Sequence, residues 1–332
     1  MIKIAFFDTK DYDKEMFEEY NKAFNFEIKY FKENLNANTA NYAKGFDVVC
    51  VFVNDTVDKQ VLDILKVDGV KLVALRCAGF NNVDLNNVPD GMKVVRVPRY
   101  SPYAIAEFAT GLLLCLDRKI YKSYQRTKNY DFSLDGLLGF DIHGKTVGVI
   151  GTGKIGKVFA KIMTGFGANV IAYDIYEDKK AESEIGFKYV TLDELLKNSD
   201  VISMHCPLTK ENVNMINEES ISNMKDGVVI VNTSRGALID TKALIKMLSC
   251  KKIGAVALDV YKNEGEFFFN DCSKSCIRDE ELSTLLTMPN VIVTSHQAFF
   301  TKEAVSSITQ ITLQNIKDVF DGKDCINEVK KI

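Results

Sequence analysis

Apolar residues along this chain follow two rhythms that take turns. Short runs rich in Val, Ile, Phe and Tyr, at 2–7, 26–31, 47–53, 70–76 and 92–97, alternate with stretches whose apolar positions repeat at helical spacing. Such alternation predicts an α/β fold with parallel strands joined by crossover helices. Five strands make a small doubly wound sheet. Next, Ser101 can cap a helix with Pro102 in its first turn, and the run from Glu107 to Leu114 carries it toward Arg118. Its apolar content exceeds one face, so the helix is expected to pack on two sides, between domains or at a subunit contact. The alternation then resumes with strands at 146–150, 169–174, 200–206, 228–233, 253–259 and 290–295. A final helix over about 301–320 could return to the first sheet. Only the segment from Tyr261 to Met288 breaks the rhythm for long, and an excursion of this length in a compact domain is often functional.

One strand carries a specific signal at its end. Thr146–Ile150 runs into Gly151-Thr152-Gly153-Lys154-Ile155-Gly156, and some twenty residues later a second strand closes with Tyr173-Asp174. In a dinucleotide-binding unit the first glycine permits the tight turn, the second lets backbone approach the pyrophosphate, and the third lets helix pack on strand. The helix N-terminus then faces the phosphates with free N–H groups and a favourable dipole. Asp174 can accept from a ribose 2′-OH and repels a 2′-phosphate, so NAD is expected over NADP. A glycine pattern alone is weak evidence. Flanking strands and a terminal acid at the right interval make it strong.

Composition narrows the function further. A chain of 332 residues suffices for about two domains, and 46% hydrophobic with 26% charged residues is ordinary for a soluble globular protein. The net charge of -3 gives no basic patch of the kind nucleic acid or an anionic membrane needs, so neither is assigned as a partner. The opening Met1-Ile2-Lys3-Ile4-Ala5 lacks the pattern of a signal peptide, and no apolar stretch approaches the ~18 residues of a membrane span, which points to the cytoplasm. Of eight cysteines only Cys272 and Cys276 lie close together. With no second Cys/His pair nearby, they are read as reduced thiols and no metal site is expected.

Open parallel sheets bind ligands beyond the carboxyl ends of their strands. Arg235 follows one such end, Asp259 ends the next strand, Glu264 lies shortly beyond it, and His296 ends the last. Reduction of a 2-keto acid by NADH requires a proton donor for the developing alkoxide, a cation for the carboxylate and a fixed cofactor. His296 can give the proton, and a carboxylate beside it, Glu264, favours the imidazolium. Arg235 offers a planar fork for the substrate carboxylate. Taken singly, these would read as a capping Arg, a surface Glu and a strand-end His. Three together in a dinucleotide domain reverse that reading. His205, also at a strand end, is expected to wall the cofactor pocket, whereas His143 is read as a surface residue.

These residues, in this order, resemble the D-isomer-specific 2-hydroxyacid dehydrogenases, and more narrowly their D-lactate dehydrogenase branch. The resemblance covers nearly the whole chain. It rests on the stretch from Leu75 to Asp84, Val97-Pro98-Arg99-Tyr100-Ser101-Pro102, the glycine motif at 151–156, His205-Cys206-Pro207-Leu208-Thr209, Asn232-Thr233-Ser234-Arg235-Gly236, Ala257-Leu258-Asp259-Val260-Tyr261 and the stretch from His296 to Thr301.

The resemblance implies that Arg235, Glu264 and His296 are the catalytic triad. It implies that the Ala78 and Gly79 amides hold the substrate carboxylate, that Tyr100 and Phe299 line the substrate pocket, and that Asp259 binds the nicotinamide carboxamide. Lys154 belongs to the glycine motif; Ile155, Tyr173, Cys206, Pro207, Asn212, Thr233 and Ser234 match cofactor-contact positions. It further implies a flavodoxin-like substrate domain from 1–100 and 300–332, into which a Rossmann NAD-binding domain from 101–299 is inserted, with chain crossings near 100 and 299. Members are usually homodimers built on the cofactor domain, sometimes paired into homotetramers.

The implied activity is NADH-dependent, reversible reduction of pyruvate to D-lactate. Narrowing by Tyr100 and Phe299 favours that small substrate over the branched or aromatic 2-keto acids of an otherwise similar enzyme. An NADH-sensing corepressor would need a partner-peptide groove and usually extra tails, and a formate dehydrogenase would carry Gln where Glu264 stands. Three departures stand out. Arg99 replaces a small residue, and Asn214 and Lys262 replace residues that are often His and Glu.

Overall fold

The first sheet is built from short strands, β1 (Lys3–Phe6), β2 (Glu27–Tyr30), β3 (Val48–Val51), β4 (Leu72–Leu75) and β5 (Lys93–Val95). Every residue of β3 and β4 is buried, as central parallel strands covered on both faces require. All pairs are parallel in the order β2-β1-β3-β4-β5, the flavodoxin-like arrangement. Helix α1 (Asp11–Asn21) crosses from β1 to β2, and α2 (Lys59–Val67) from β3 to β4. The Asp58 carboxylate starts α2 by accepting from the Val61 amide, one of the donors a helix leaves unpaired.

The second sheet follows two helices, α3 (Pro102–Asp117) and α4 (Ile120–Lys128). Its first half runs β6 (Thr146–Ile150), α5 (Lys154–Gly165), β7 (Asn169–Tyr173), α6 (Lys179–Ile185), β8 (Lys188–Tyr189) and α7 (Leu192–Asn198). Its second half runs β9 (Val201–Met204), α8 (Glu218–Ser222), β10 (Val228–Asn232), α9 (Thr241–Ser249), β11 (Ile253–Leu258), α10 (Glu280–Thr287) and β12 (Val291–Val293). The seven strands are parallel in the order β12-β11-β10-β9-β6-β7-β8. Strand order therefore reverses between β6 and β9, the switch point at which a doubly wound sheet opens a crevice. The strand pattern did not anticipate β8. With two residues, it is too short to show a period.

Alternation along the strands divides the core of this sheet in two. Val147, Val149, Val201 and Val231 face α3 and α5, where they meet Leu113, Phe159 and Met163. Ile150, Ile202, Ile230 and Val256 face the opposite side, against Leu195 and Leu244. Full burial of each such side chain contributes roughly 1.5–3 kcal/mol. Within unit 2, α3 packs on α5 and on β10, β11 and β12.

The chain ends with α11 (Lys302–Phe320), capped by the Thr301 hydroxyl accepting from the Ala304 amide. Leu313 and Ile316 of α11 join Ile4, Phe6, Phe17 and Leu72 in the core of the first sheet. This computed structural model describes residues 1–330. They fall into two units, unit 1 being Met1–Ser101 with the segment from Phe300 onward, and unit 2 Pro102–Phe299.

Candidate functional site

The glycine turn sits where the strand order of unit 2 reverses. Gly151 has φ 94, and a Cβ there would lie 2.6 Å from the Cys206 amide nitrogen at the end of β9, so turn and strand end touch through backbone. A Cβ on Gly156 would lie 1.9 Å from the Gly151 carbonyl oxygen, which is why α5 packs so closely on the turn. Gly153 differs. No heavy atom lies within 4 Å of its would-be Cβ, it occupies the N-cap of α5, and no side chain caps the helix. Lys154 and Ile155 begin that helix. The result is an open, positively polarised cradle of the kind a pyrophosphate fills.

Asp174 stands across the turn at the end of β7, just after Tyr173. One carboxylate oxygen accepts from the Thr152 amide at 2.6 Å and the Thr152 hydroxyl at 3.0 Å, and the other from the Tyr176 amide at 2.9 Å. The Thr152 hydroxyl is also 2.7 Å from the Tyr189 hydroxyl, so the overlooked strand β8 helps hold the acid. His205 lies beneath the turn. Its Nε2 is 2.8 Å from the Ser203 hydroxyl, its ring is 4.9 Å from that of Phe159, and burial pushes its pKa down to about 3. This imidazole is neutral at physiological pH, so it does not act as a phosphate-binding cation.

The remaining cofactor candidates surround the ends of β9 and β10. The Cys206 thiol is pushed up to about 11 by burial, and its carbonyl accepts from the Ser234 hydroxyl. Asn212 closes the loop after it, donating to the Pro207 carbonyl and accepting from the Thr209 amide. The Thr233 hydroxyl is buried and has no hydrogen-bond partner among the described residues. A polar ligand edge at the end of β10 would satisfy it. Cradle, fixed acid and orphaned hydroxyl together fit a bound dinucleotide.

The triad candidates all lie in unit 2. A Cβ on Gly236 would lie 2.2 Å from the Tyr261 carbonyl carbon, so the Arg235 turn rests on the start of the Glu264 segment. Arg235 donates from Nη1 to the Ser234 carbonyl at 2.7 Å, and among the described residues it forms no ion pair. Glu264 accepts from the Tyr261 amide through Oε2 at 2.9 Å and meets His296 Nδ1 through Oε1 at 2.7 Å. The two side chains are 25% and 24% exposed, so the pair is reachable while firmly held. Asp279 steadies the segment from behind, accepting from the Tyr261 hydroxyl at 2.8 Å and the Asn263 amide group at 2.9 Å. Neither contact was foreseen; the only sequence signal was an acid in the position to cap α10.

Asp259, for which a contact with the nicotinamide carboxamide is expected, is fully buried, and its oxygens are engaged by the His296 loop. Oδ1 accepts from the Thr294 hydroxyl at 2.5 Å and the Gln297 amide at 2.9 Å, while Oδ2 accepts from the Ala298 amide at 2.8 Å. Burial raises its pKa, and these donors oppose the rise. The Asp259 carbonyl also accepts from the His296 amide at 2.7 Å, and His296 itself sits in the left-handed region at φ 53. The acid therefore anchors the loop that presents the imidazole.

Ala78, Gly79 and Tyr100 belong to unit 1, with Ala78 and Gly79 just beyond the end of β4. Phe299, 9% exposed, is the last residue of unit 2. Arg99 is exposed, Lys262 pairs with Glu281 at 2.6 Å, and Asn214 sits at φ 53, a conformation asparagine tolerates better than most side chains. His143 is exposed, with its ring against Gly167. Cys272 and Cys276 are free thiols, and among the described residues no cluster of three or more His, Cys, Asp or Glu could hold a metal ion. No helix of the described residues is long and apolar enough to cross a membrane.

Comparison with known proteins agrees with this chemistry. Residues 110–298 match the model of the D-isomer specific 2-hydroxyacid dehydrogenase NAD binding domain. The chain is 50% identical to the D-lactate dehydrogenase of Escherichia coli K12 over 329 residues, which is 99% of this chain and 100% of that one. The apo-structure of the D-lactate dehydrogenase from Escherichia coli superposes with a TM-score of 0.91 at 49% identity, covering 99% of this chain and 100% of the other. A D-2-hydroxyisocaproate dehydrogenase structure is similar at a TM-score of 0.87 and 34% identity, over 99% and 100% of the two chains. With an NAD-binding sheet, an imidazole held by a carboxylate at its strand ends and these relatives along its whole length, the chain belongs to the D-isomer-specific 2-hydroxyacid dehydrogenase family.

Proposed function

We propose that this enzyme reduces pyruvate to D-lactate with NADH, reversibly. The observation that carries the proposal is the His296–Glu264 contact of 2.7 Å, held at the strand ends of an NAD-binding unit in a chain so similar to a D-lactate dehydrogenase over its full length. A nicotinamide bound in unit 2 would supply the hydride for the carbonyl carbon. Glu264 accepts a hydrogen bond from Nδ1–H of His296 and fixes the ring, so that the doubly protonated imidazole gives its Nε2 proton to the carbonyl oxygen as it becomes a hydroxyl and is left neutral. In the oxidative direction Nε2 takes that proton back. Arg235, unpaired with any acid, binds the substrate carboxylate with its fork and polarises the neighbouring carbonyl. In unit 1, the amides of Ala78 and Gly79 are the further donors to that carboxylate. Phe299 leaves room for a methyl substituent more readily than for a benzyl group, and Tyr100 is assigned the same role in unit 1.

The likeness to a D-2-hydroxyisocaproate dehydrogenase favours a second reading, in which a larger branched keto acid is preferred. NADH oxidation against a panel of 2-keto acids, with the product enantiomer determined, separates the two. Pyruvate should have the higher kcat/KM and give D-lactate. Faster turnover of phenylpyruvate or 2-ketoisocaproate would defeat the lactate assignment, and an L-product would overturn the substrate orientation. His296→Ala should lower turnover by roughly 10² or more while NADH still binds. Near-normal turnover would remove His296 from the mechanism.

Unit 2 also exposes Ile120, Tyr124, Tyr130, Phe132, Leu134 and Leu138, all of them more than half accessible, in α4 and the segment after it. We propose that this apolar surface is covered by a second copy of the chain, giving a homodimer or a homotetramer. The eight cysteines, all free, suit a reducing cytoplasm.

A further inference from the structure

Three consecutive carbonyls beyond β4 turn inward to partners within unit 1. Cys77 accepts from the Val97 amide at 3.0 Å, Ala78 from Arg96 Nη1 at 2.9 Å, and Gly79 from the Cys77 thiol at 3.2 Å. In a trans peptide the C=O and the following N–H point in opposite directions. Holding the Ala78 carbonyl therefore aims the Gly79 N–H the other way, and holding the Cys77 carbonyl does the same for the Ala78 N–H. Among the described residues neither amide donates to an acceptor within unit 1. Successive free N–H groups of this kind form an anion-binding concavity.

Of the three partners only Arg96 is charged, and it is firmly placed. Its guanidinium lies 4.8 Å over the Phe80 ring, its carbonyl accepts from the Asn315 side chain at 2.9 Å, and its amide donates to the Asn327 carbonyl at 3.1 Å. A cation on a carbonyl oxygen withdraws density from the peptide and makes the N–H at its other end a stronger donor.

We infer that Arg96 is a positioning residue for catalysis: by gripping the Ala78 carbonyl it orients and polarises the Ala78–Gly79 peptide toward the carboxylate of the 2-keto acid. The inference rests on the proposed reduction of a 2-keto acid. It adds a cation that acts on the substrate carboxylate through a peptide group and does not touch it.

The test compares Arg96→Met and Arg96→Lys in the full-length enzyme. Met keeps an apolar stem over Phe80 and loses the donor; Lys keeps a charged donor. Arg96→Met should raise the KM for pyruvate and the inhibition constant of oxamate about 10-fold, the size expected for a hydrogen bond to a charged group. Its KM for NADH should stay within about 2-fold, as should its KM for methyl pyruvate, which has no carboxylate. Arg96→Lys should recover most of the loss. Phe80→Leu, which removes the ring and leaves the grip on Ala78, should bind pyruvate nearly as the parent does.

An unchanged pyruvate KM in Arg96→Met would overturn the inference. Equal losses in Met and Lys, or a loss shared by methyl pyruvate, would do the same, since these mark a packing role. If Arg96→Met does not fold, Arg96→Lys and Phe80→Leu decide: normal pyruvate binding by Lys with weakened binding by Leu assigns the effect to the ring and overturns it. A parent that prefers another 2-keto acid is tested with that acid. A parent that reduces none fails at the first measurement, which sinks the functional reading before any variant is compared.

Discussion

The open space at Gly153 and the crowded space at Gly156 allow cofactor binding to be separated from folding by one methyl group at each position. Gly153 has φ -62 and ψ -168, extended backbone open to any residue, and no heavy atom lies within 4 Å of the added Cβ. Gly153→Ala should therefore fold normally, at a cost of at most about 1 kcal/mol for a poorer helix N-cap. The methyl group would nevertheless stand where the pyrophosphate approaches the amides of α5. Loss of one charge-assisted hydrogen bond, at about 1.5–3 kcal/mol, weakens NADH roughly 10- to 150-fold. At Gly156 the methyl carbon would be 1.9 Å from a backbone oxygen that cannot swing aside, so α5 must shift on the turn. Overpacking of this kind typically costs about 1–3 kcal/mol of stability. Urea unfolding and NADH fluorescence titration measure both quantities for both variants. A Gly153→Ala protein that binds NADH as the parent does would show that the cofactor phosphates do not rest on α5.

Asp174→Ala should raise the KM for NADH about 10- to 100-fold through loss of a ribose hydrogen bond and should narrow the gap to NADPH. Comparable use of both cofactors by the parent would show that Asp174 does not select between them. His205 links stability to pH: its pKa falls from the model-peptide value of 6.5 to about 3 in the fold, so the unfolded chain binds the extra proton between those values. Stability is whole above 6.5 and falls as pH drops below it, by at most about 1.4 kcal/mol per pH unit from this group. His205→Gln should lose less stability than the parent between pH 7.5 and 5 in urea titrations, and equal losses would refute the buried neutral imidazole.

Both sheets could be read in the sequence because buried parallel strands are continuous apolar runs, and the glycine turn because its requirements are local. The helix α4 escaped notice because IYKSYQRTK is mostly polar and none of its residues is buried. Glu264 and His296 could be paired through chemistry and strand ends. The direction in which a strand-end carboxylate turns is not written locally, so the grip of Asp259 on the His296 loop could not be read from the sequence. Arg96 gave no signal because its partner, the Ala78 carbonyl, lies 18 residues away and is set by how β4 and β5 pair.

The Asp259 anchorage bears on how such an enzyme diversifies. Its carboxylate fixes the chain from Thr294 through Ala298, and that grip stops one residue before Phe299. On the proposed role of Phe299, exchange at residue 299 should change the range of accepted acids without loosening the anchor of the imidazole. Descendants can drift toward bulkier substrates in single steps, each still a working reductase. A random library at 299 should accordingly be rich in active enzymes, whereas a library at 259 should be nearly barren.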